Sequence, residues 1–388
     1  MLSIKTGNSI HSDAALAAKE AAASVRGDLS DMKMAFVYSG VQYDQRAFLD
    51  AMKKELPGVP LIGNTSFTGV MTPNGFISSE EGFAGIMTLS GDDLTVGVAG
   101  AAKEGSARET GHKVAEKALR AAGRTDAPDY FYMTAPSGEE EYYLKGITEV
   151  IGRVPFFGGT AADNSISGEW LLYTDELVME EGVAVAFFYT DRPFANKFTG
   201  AYRETEKAGV ITKIEGDRTL SEIKGKPALE RYREWTGAGA EEVAGGNLLS
   251  YAIEKPLAVK DRLGDLAAIR HPMNGNEDGS MAIGNNLAVG TAVVLMEASV
   301  DELIAAVGDT LEELKKKIGS PIAGLHLVHC GGRRAGIGDR IGEVYEEVKK
   351  HADGIPFIME FTFGEYGYED DGNNTCGGLM LSFTAFGK

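Results

Sequence analysis

The sequence predicts an α/β fold in which mixed β-sheets covered by helices are built from pseudo-repeated units. Three observations predict it. An order of strand, helix, strand, loop and strand recurs three times along the 388 residues. Fifty glycines imply many turns and close backbone approaches between numerous strands. A hydrophobic content of 43% with 24% charged residues is that of a water-soluble globule, and the length suits roughly two or three domains.

The elements follow in order. An Ala-rich helix is expected over residues 12–26, capped by Ser12 or Asp13. "MAFVYSG" reads as a buried strand, and "YDQRAFLDAMKKELPG" as a helix with an Asp44 cap and a Pro-Gly stop. "VPLIGNTSFTGVM" is a strand that breaks into a polar loop, and "EGFAGIMTLS" is a third strand. The order returns with strand "YFYMTAPSG", helix "EEEYYLKGITEVIG" behind a Ser137 cap, strand and loop "VPFFGGTAADN", and "EEGVAVAFFYT". The spacing of 24 residues from Ala35 to Val59 is repeated from Tyr130 to Val154. A third copy runs through "AGLHLVHCGGRR", "IGEVYEEVKKHADG", "IPFIMEFTFGEYG" and "TCGGLMLSFTAF". Such self-similarity means related units that pack together. Between the second and third copies lie strands and turns, a helix opened by Pro227, a helix at 241–252, and a helix with a Ser299 cap.

Composition excludes several function classes. A net charge of −19 repels a phosphate backbone, so no nucleic-acid partner is expected. No apolar run is long enough for membrane insertion, and no basic-then-apolar leader is visible. With two cysteines, Cys330 and Cys376, a cytoplasmic location without a disulfide framework is the expectation.

Four motifs invite chemistry. "VPFFGGTAADN" lacks the Lys of a phosphate loop and the GxGxxG of a dinucleotide loop, and Asp163 would repel an anion. Its place at a strand end of an α/β unit still marks it as a binding-loop candidate. "HLVHC" cannot converge on a metal, because His326 and Cys330 share one strand face and His329 takes the other. "CGGRR" sets Arg333 and Arg334 at a strand end, where one could pair bidentately with a ligand carboxylate or form a structural ion pair. "FGEYGYEDDGNNTCGG" offers Glu365, Asn373, Asn374 and Thr375 as a polar lining, with Glu369, Asp370 and Asp371 read as surface.

The ordered set "YDQRAFLDAMKKELPGVPLIGNTS", "VPFFGGTAADN" with "GVAVAFF", "KGKPALERYREWTG", "CGGRRAGIG" and "FTFGEYG...NNTCGGLMLSF" resembles the FIST family over about residues 31–386. The resemblance implies a non-catalytic sensory module for small ligands such as amino acids, here without an attached output domain. It implies binding loops at Gly63, Asn64, Thr65 and Ser66, at Gly158, Gly159, Thr160 and Asp163, and at Arg333, Arg334, Glu365 and Asn374. This chain departs from the family pattern in carrying Asn64 for a Cys, Gly69-Val70 for Gly-Glu, and no histidine in the last motif.

The expectation is therefore an N-terminal helical extension over 1–30 and two intimately packed domains, FIST N-like over 31–227 and FIST C-like over 228–388. Loops from both halves would line one cleft. A small molecule, an amino acid or related carboxylate, is the expected partner, held by Arg333 or Arg334 at its carboxylate and by Asp163 or Glu365 at its amine, with a signalling protein downstream. No cofactor and no metal are expected, and the oligomeric state is open. The alternatives are an amidohydrolase using Thr65, Thr160 or Cys330 as nucleophile, and a protein-binding platform.

Overall fold

Strands apolar on both faces need cover on both sides, and the strand Met32–Ser39 with its parallel neighbour Leu61–Thr65 is of this kind, buried almost throughout. The computed structural model describes all residues except 28, 240–242, 244, 245, 261–265 and 370–372. In it one unit recurs three times: edge strand, helix, strand, helix, strand, hairpin, strand. The first unit runs from Ser3–Ser9 to Ala84–Ser90, the second from Thr95–Ala102 to Gly182–Tyr189, and the third from Phe194–Thr199 to Leu381–Gly387. Each contains one parallel pair, formed by Met32–Ser39 with Leu61–Thr65, Tyr130–Ala135 with Phe156–Thr160, and Ile322–Cys330 with Phe357–Thr362. All other pairings within these sheets are antiparallel, so the sheets are mixed as expected.

Each unit lends its hairpin to another unit's sheet. The hairpin Val70–Thr72 and Gly75–Ile77 pairs with Phe357–Thr362 of the third unit. The second unit's Leu172–Thr174 pairs with Leu61–Thr65 of the first, and the third unit's Glu365–Tyr368 with Phe156–Thr160 of the second. Three six-stranded sheets result, joined in a cycle. Their inner faces meet in one aromatic core that includes Phe36, Tyr132, Phe157, Phe188, Ile358 and Phe386. Their outer faces carry the helices, among them Ala107–Ala122 and Val300–Ile318, both opened by a Ser/Glu capping box.

At the centre of the aromatic core lies a closed polar cluster. Tyr38 Oη is 2.5 Å from His326 Nε2, Tyr132 Oη donates to Asn64 Oδ1 at 3.0 Å, and Asn64 Nδ2 donates to Glu360 Oε2 at 2.9 Å. Burial raises the Glu360 carboxyl to about 7 against the pull of its hydrogen bonds, and lowers His326 to about 3.

Several expectations change. Residues 1–30 are no separate extension: Ser3–Ser9 pairs with Ala84–Ser90, and the helix Ala14–Ala23 buries Ala17, Ala18, Ala21 and Ala22. Asp13 is its cap, accepting from Leu16 N at 2.9 Å. Ser137 does not cap the helix Glu140–Ile151, which starts after Glu139, and Pro227 directly precedes the helix Ala228–Thr236. Of the helix expected at 241–252, Leu249–Ala252 is helical, while 241, 242, 244 and 245 lie outside the described residues, as do Asp370 and Asp371. The strands from Arg203–Glu215 to Ala292–Glu297 form an inserted eight-stranded sheet with its own core around Ile211, Leu220, Tyr232 and Val293, interrupting the third unit between its edge strand and its first helix.

Candidate functional site

The parallel strands end on one side, and there the loops of the second and third units meet the inserted sheet around a cavity of about 280 Å³. Ser137 follows the strand Tyr130–Ala135, and Ile166, Ser167, Gly168 and Trp170 lie on the loop after Phe156–Thr160. The third unit contributes Cys330 at the end of its first parallel strand, then Gly332, Phe363 and Leu379. The insert closes the far side with Leu249, His271, Met273 and Gly284. Ligands of α/β sheets bind beyond the carboxyl ends of the strands, which is the position of this space.

Asp163 shapes the wall. Its carboxylate accepts the backbone N–H groups of Ser165, Ser167, Gly168 and Glu169 at 2.8–3.1 Å. Burial pulls its carboxyl upward, yet these four amides hold it below the usual range. The loop so tied places Ile166 at φ +57°, and across the cavity Leu379 sits at φ +54°. Left-handed backbone at a branched or bulky residue is costly, on the order of 1–3 kcal/mol, and collects at binding sites. Ile166 is also 48% exposed and Met273 36%, so two large apolar side chains stand open to solvent at this cavity.

His271 is the polar group of note. It is 6% exposed and its Nδ1 has no hydrogen-bond partner among the described residues. The ring fits because Gly284 and Gly378 carry no side chain: a Cβ on either would stand 2.4 Å from a ring atom. Burial, and then the cations of Arg218 and Arg270, hold the imidazole down at about 4, so it is neutral at pH 7. Cys330 Sγ accepts the N–H groups of Gly332 at 3.3 Å and Leu379 at 3.2 Å. Burial and the neighbouring Glu365 push this thiol far up, which keeps it protonated.

Most residues expected to bind a ligand form the framework behind these walls. Arg333 is fully buried, and its guanidinium donates to the carbonyls of Gly200 at 2.6 Å, Leu303 at 3.0 Å and Leu379 at 3.4 Å. The expected carboxylate clamp is thus corrected, because both terminal nitrogens are held by backbone carbonyls in the interior. Arg334 donates to Gly338 O at 2.9 Å and lies over the Phe76 ring. Glu365 is buried and accepts from Met380 N at 2.8 Å and Thr362 Oγ1 at 3.0 Å; burial lifts its carboxyl to about 8, so it supplies no anion for an amine. Asp163 likewise spends its charge on the loop amides.

The first loop is also framework. Gly63 and Asn64 lie within a buried strand, Asn64 turns to Glu360, and a Cβ at Gly63 would meet Val37 O at 1.6 Å. Thr65 Oγ1 accepts from Leu171 N at 2.9 Å, and Ser66 Oγ donates to Gly69 O at 2.7 Å. Gly158 and Gly159 are strand residues, and Thr160 Oγ1 lies 2.8 Å from Tyr366 Oη. Asn374 donates to Val154 O at 2.8 Å and borders a separate groove with Asn373 and Thr375. His271, Trp170, Ile166 and Met273 were not anticipated. A faint signal existed: His271 is one of six histidines and Trp170 one of two tryptophans.

The fold and cavity together define an α/β protein of mixed sheets with a small-molecule-sized space where its two parts meet. The FIST N domain matches residues 33–226 and the FIST C domain residues 228–368, so the chain belongs to the FIST family, whose domains are small-ligand sensory modules. No curated protein matches it. Among solved structures it is similar to a cyanuric acid hydrolase from A. caulinodans, at 9% identity and a TM-score of 0.39 over all of both chains. A second cyanuric acid hydrolase gives 10% and 0.33, again over all of both chains. Phosphoribosylformylglycinamidine synthase II from Thermotoga maritima gives 9% and 0.24 over 99% of this chain and 72% of the other. At such values these likenesses carry no residue roles to this chain. Among the described residues, no helix is long and apolar enough to cross a membrane.

Proposed function

We propose that the protein is a sensor that binds a small molecule in the cavity between the Asp163 loop, the third unit and the inserted sheet, and passes its occupancy to a signalling partner. The observation that carries this reading is a cavity at the strand ends, walled by both FIST domains, with a buried histidine whose Nδ1 has no partner among the described residues. Binding there would change how firmly the insert is seated. The seat is otherwise polar: Arg218 Nη2 donates to Glu140 and Glu141 at 2.6 Å, and Arg270 Nη1 donates to Cys376 O at 3.1 Å.

The finer expectation, an amino acid or related carboxylate, gains no support from the lining, where both arginines of "CGGRR" hold backbone carbonyls. A hydrolase reading also lacks support, since the Cys330 thiol stays protonated and Thr65 and Thr160 are engaged within the core. A thermal-shift screen of metabolites tests the sensor. A ligand at a hundred times its Kd adds about 2.7 kcal/mol of stability, and the shift should vanish in Ser167→Trp, where the new ring fills the cavity. A shift equal in both proteins would place binding elsewhere.

A further inference from the structure

Resting on the sensor reading, we infer the chemical class of its ligand: an uncharged, flat, bicyclic-sized aromatic molecule with one polar ring or substituent atom that pairs with His271. Size comes first. A cavity of ~150 Å³ with apolar walls holds a benzene ring, and this one is about 280 Å³.

Charge comes next. Among the described residues, no Lys, Arg, Asp or Glu lines the cavity. The cations that act on His271 are committed, Arg218 to Glu140 and Glu141 and Arg270 to the carbonyls of Ile269 and Cys376. An ion entering this space would shed its water and meet no counter-charge, and a zwitterion would do so twice. Shape follows from the walls. Trp170 and Phe363 stand edge to face, 6.0 Å apart at 85°, and make an aromatic corner beside Ile166, Met273 and Leu379. Of the described lining residues, His271 brings a neutral imidazole to the cavity. A neutral imidazole offers a donor or an acceptor, so an N–H, an O–H or a ring nitrogen can answer it.

The test is calorimetric titration of the full chain at pH 7.5 with indole, quinoline, naphthalene, L-tryptophan and indole-3-acetate. Indole or quinoline should bind about tenfold more tightly than naphthalene, which has the size without the polar atom. L-tryptophan and indole-3-acetate should be weaker than indole by at least about tenfold, because they add charge to the same ring. His271→Leu should erase the advantage of the polar atom while naphthalene still binds, and Ser167→Trp should abolish binding of all five. Equal or tighter binding of L-tryptophan or indole-3-acetate, lost in Ser167→Trp, overturns the ligand class and leaves the sensor reading standing. Indole binding unchanged by Ser167→Trp overturns the cavity as the site. No heat from any of the five at millimolar concentration overturns the class.

Discussion

Arg333 shows what a residue's type can and cannot announce. Two adjacent arginines in a strongly acidic chain suggested an ion pair or a ligand clamp, and the structure gives neither, because the partner Gly200 O comes from 133 residues away and no local pattern encodes it. Replacing Arg333 by Met removes the hydrogen bonds it gives to three carbonyls and should cost about 3 kcal/mol, read as a lower urea midpoint at unchanged slope. Lysine at this position keeps the charge without the planar fork and should recover only part of that loss. Asp163 was legible as a functional residue and illegible as to how. It acts through the loop it ties. Asp163→Asn should lower stability by about 1–2 kcal/mol at pH 7 and speed proteolysis within 164–169. Because the folded carboxyl titrates below its ordinary value, this contribution is present above about pH 4 and lost as pH falls through the folded value. Wild type and variant should therefore converge in acid melts.

At the scale of elements, periodicity and caps were the reliable signals. Asp44 and Ser299 cap the helices that begin beside them, and the three parallel strand pairs fall where the recurring order put them. Hairpins of two to four residues per strand, such as Leu172–Thr174 with Val178–Met179, left no readable pattern, since their apolar demand is met by another unit's sheet. The glycines of the loop motifs were read as ligand contacts, and their purpose is strand contact. Gly158 has φ +133°, and a Cβ there would lie 2.0 Å from Met133 O on the parallel neighbour. Gly158→Ala must open that pair and should destabilise by more than about 3 kcal/mol, seen as loss of soluble folded protein or a fall in Tm of more than ~5 °C.

For the whole molecule, the α/β class and threefold recurrence were legible, whereas the cyclic joining of the sheets and the walls of the cavity depend on long-range packing. The buried acids and histidines set a pH profile for the entire chain. Glu360 and Glu365, at about 7 and about 8, keep protons that the unfolded chain releases near 4.5, so their contribution falls as pH rises through 7 and 8. His271 at about 4 and His326 and His329 at about 3 stay neutral, while the unfolded chain takes protons below 6.5, so their effect is to lower stability as pH drops under that value. Each proton of difference is worth about 1.4 kcal/mol per pH unit. Tm should peak near pH 6.5–7 and decline on both sides, with Glu360→Gln flattening the alkaline limb; a Tm still rising at pH 9 would contradict this assignment.

The exchange of hairpins has a consequence for how the chain reaches its native state. Phe361 N donates to Ser66 Oγ across 295 residues, and the first unit's hairpin has no partner strand until the third unit has been made. Early segments wait with unpaired strand edges for the last ones to arrive. Such long-range closure slows folding and prolongs exposure to aggregation. It also leaves the ring without an end unit, so loss of the final strands takes from the second sheet its donated edge and from the first unit's hairpin its partner.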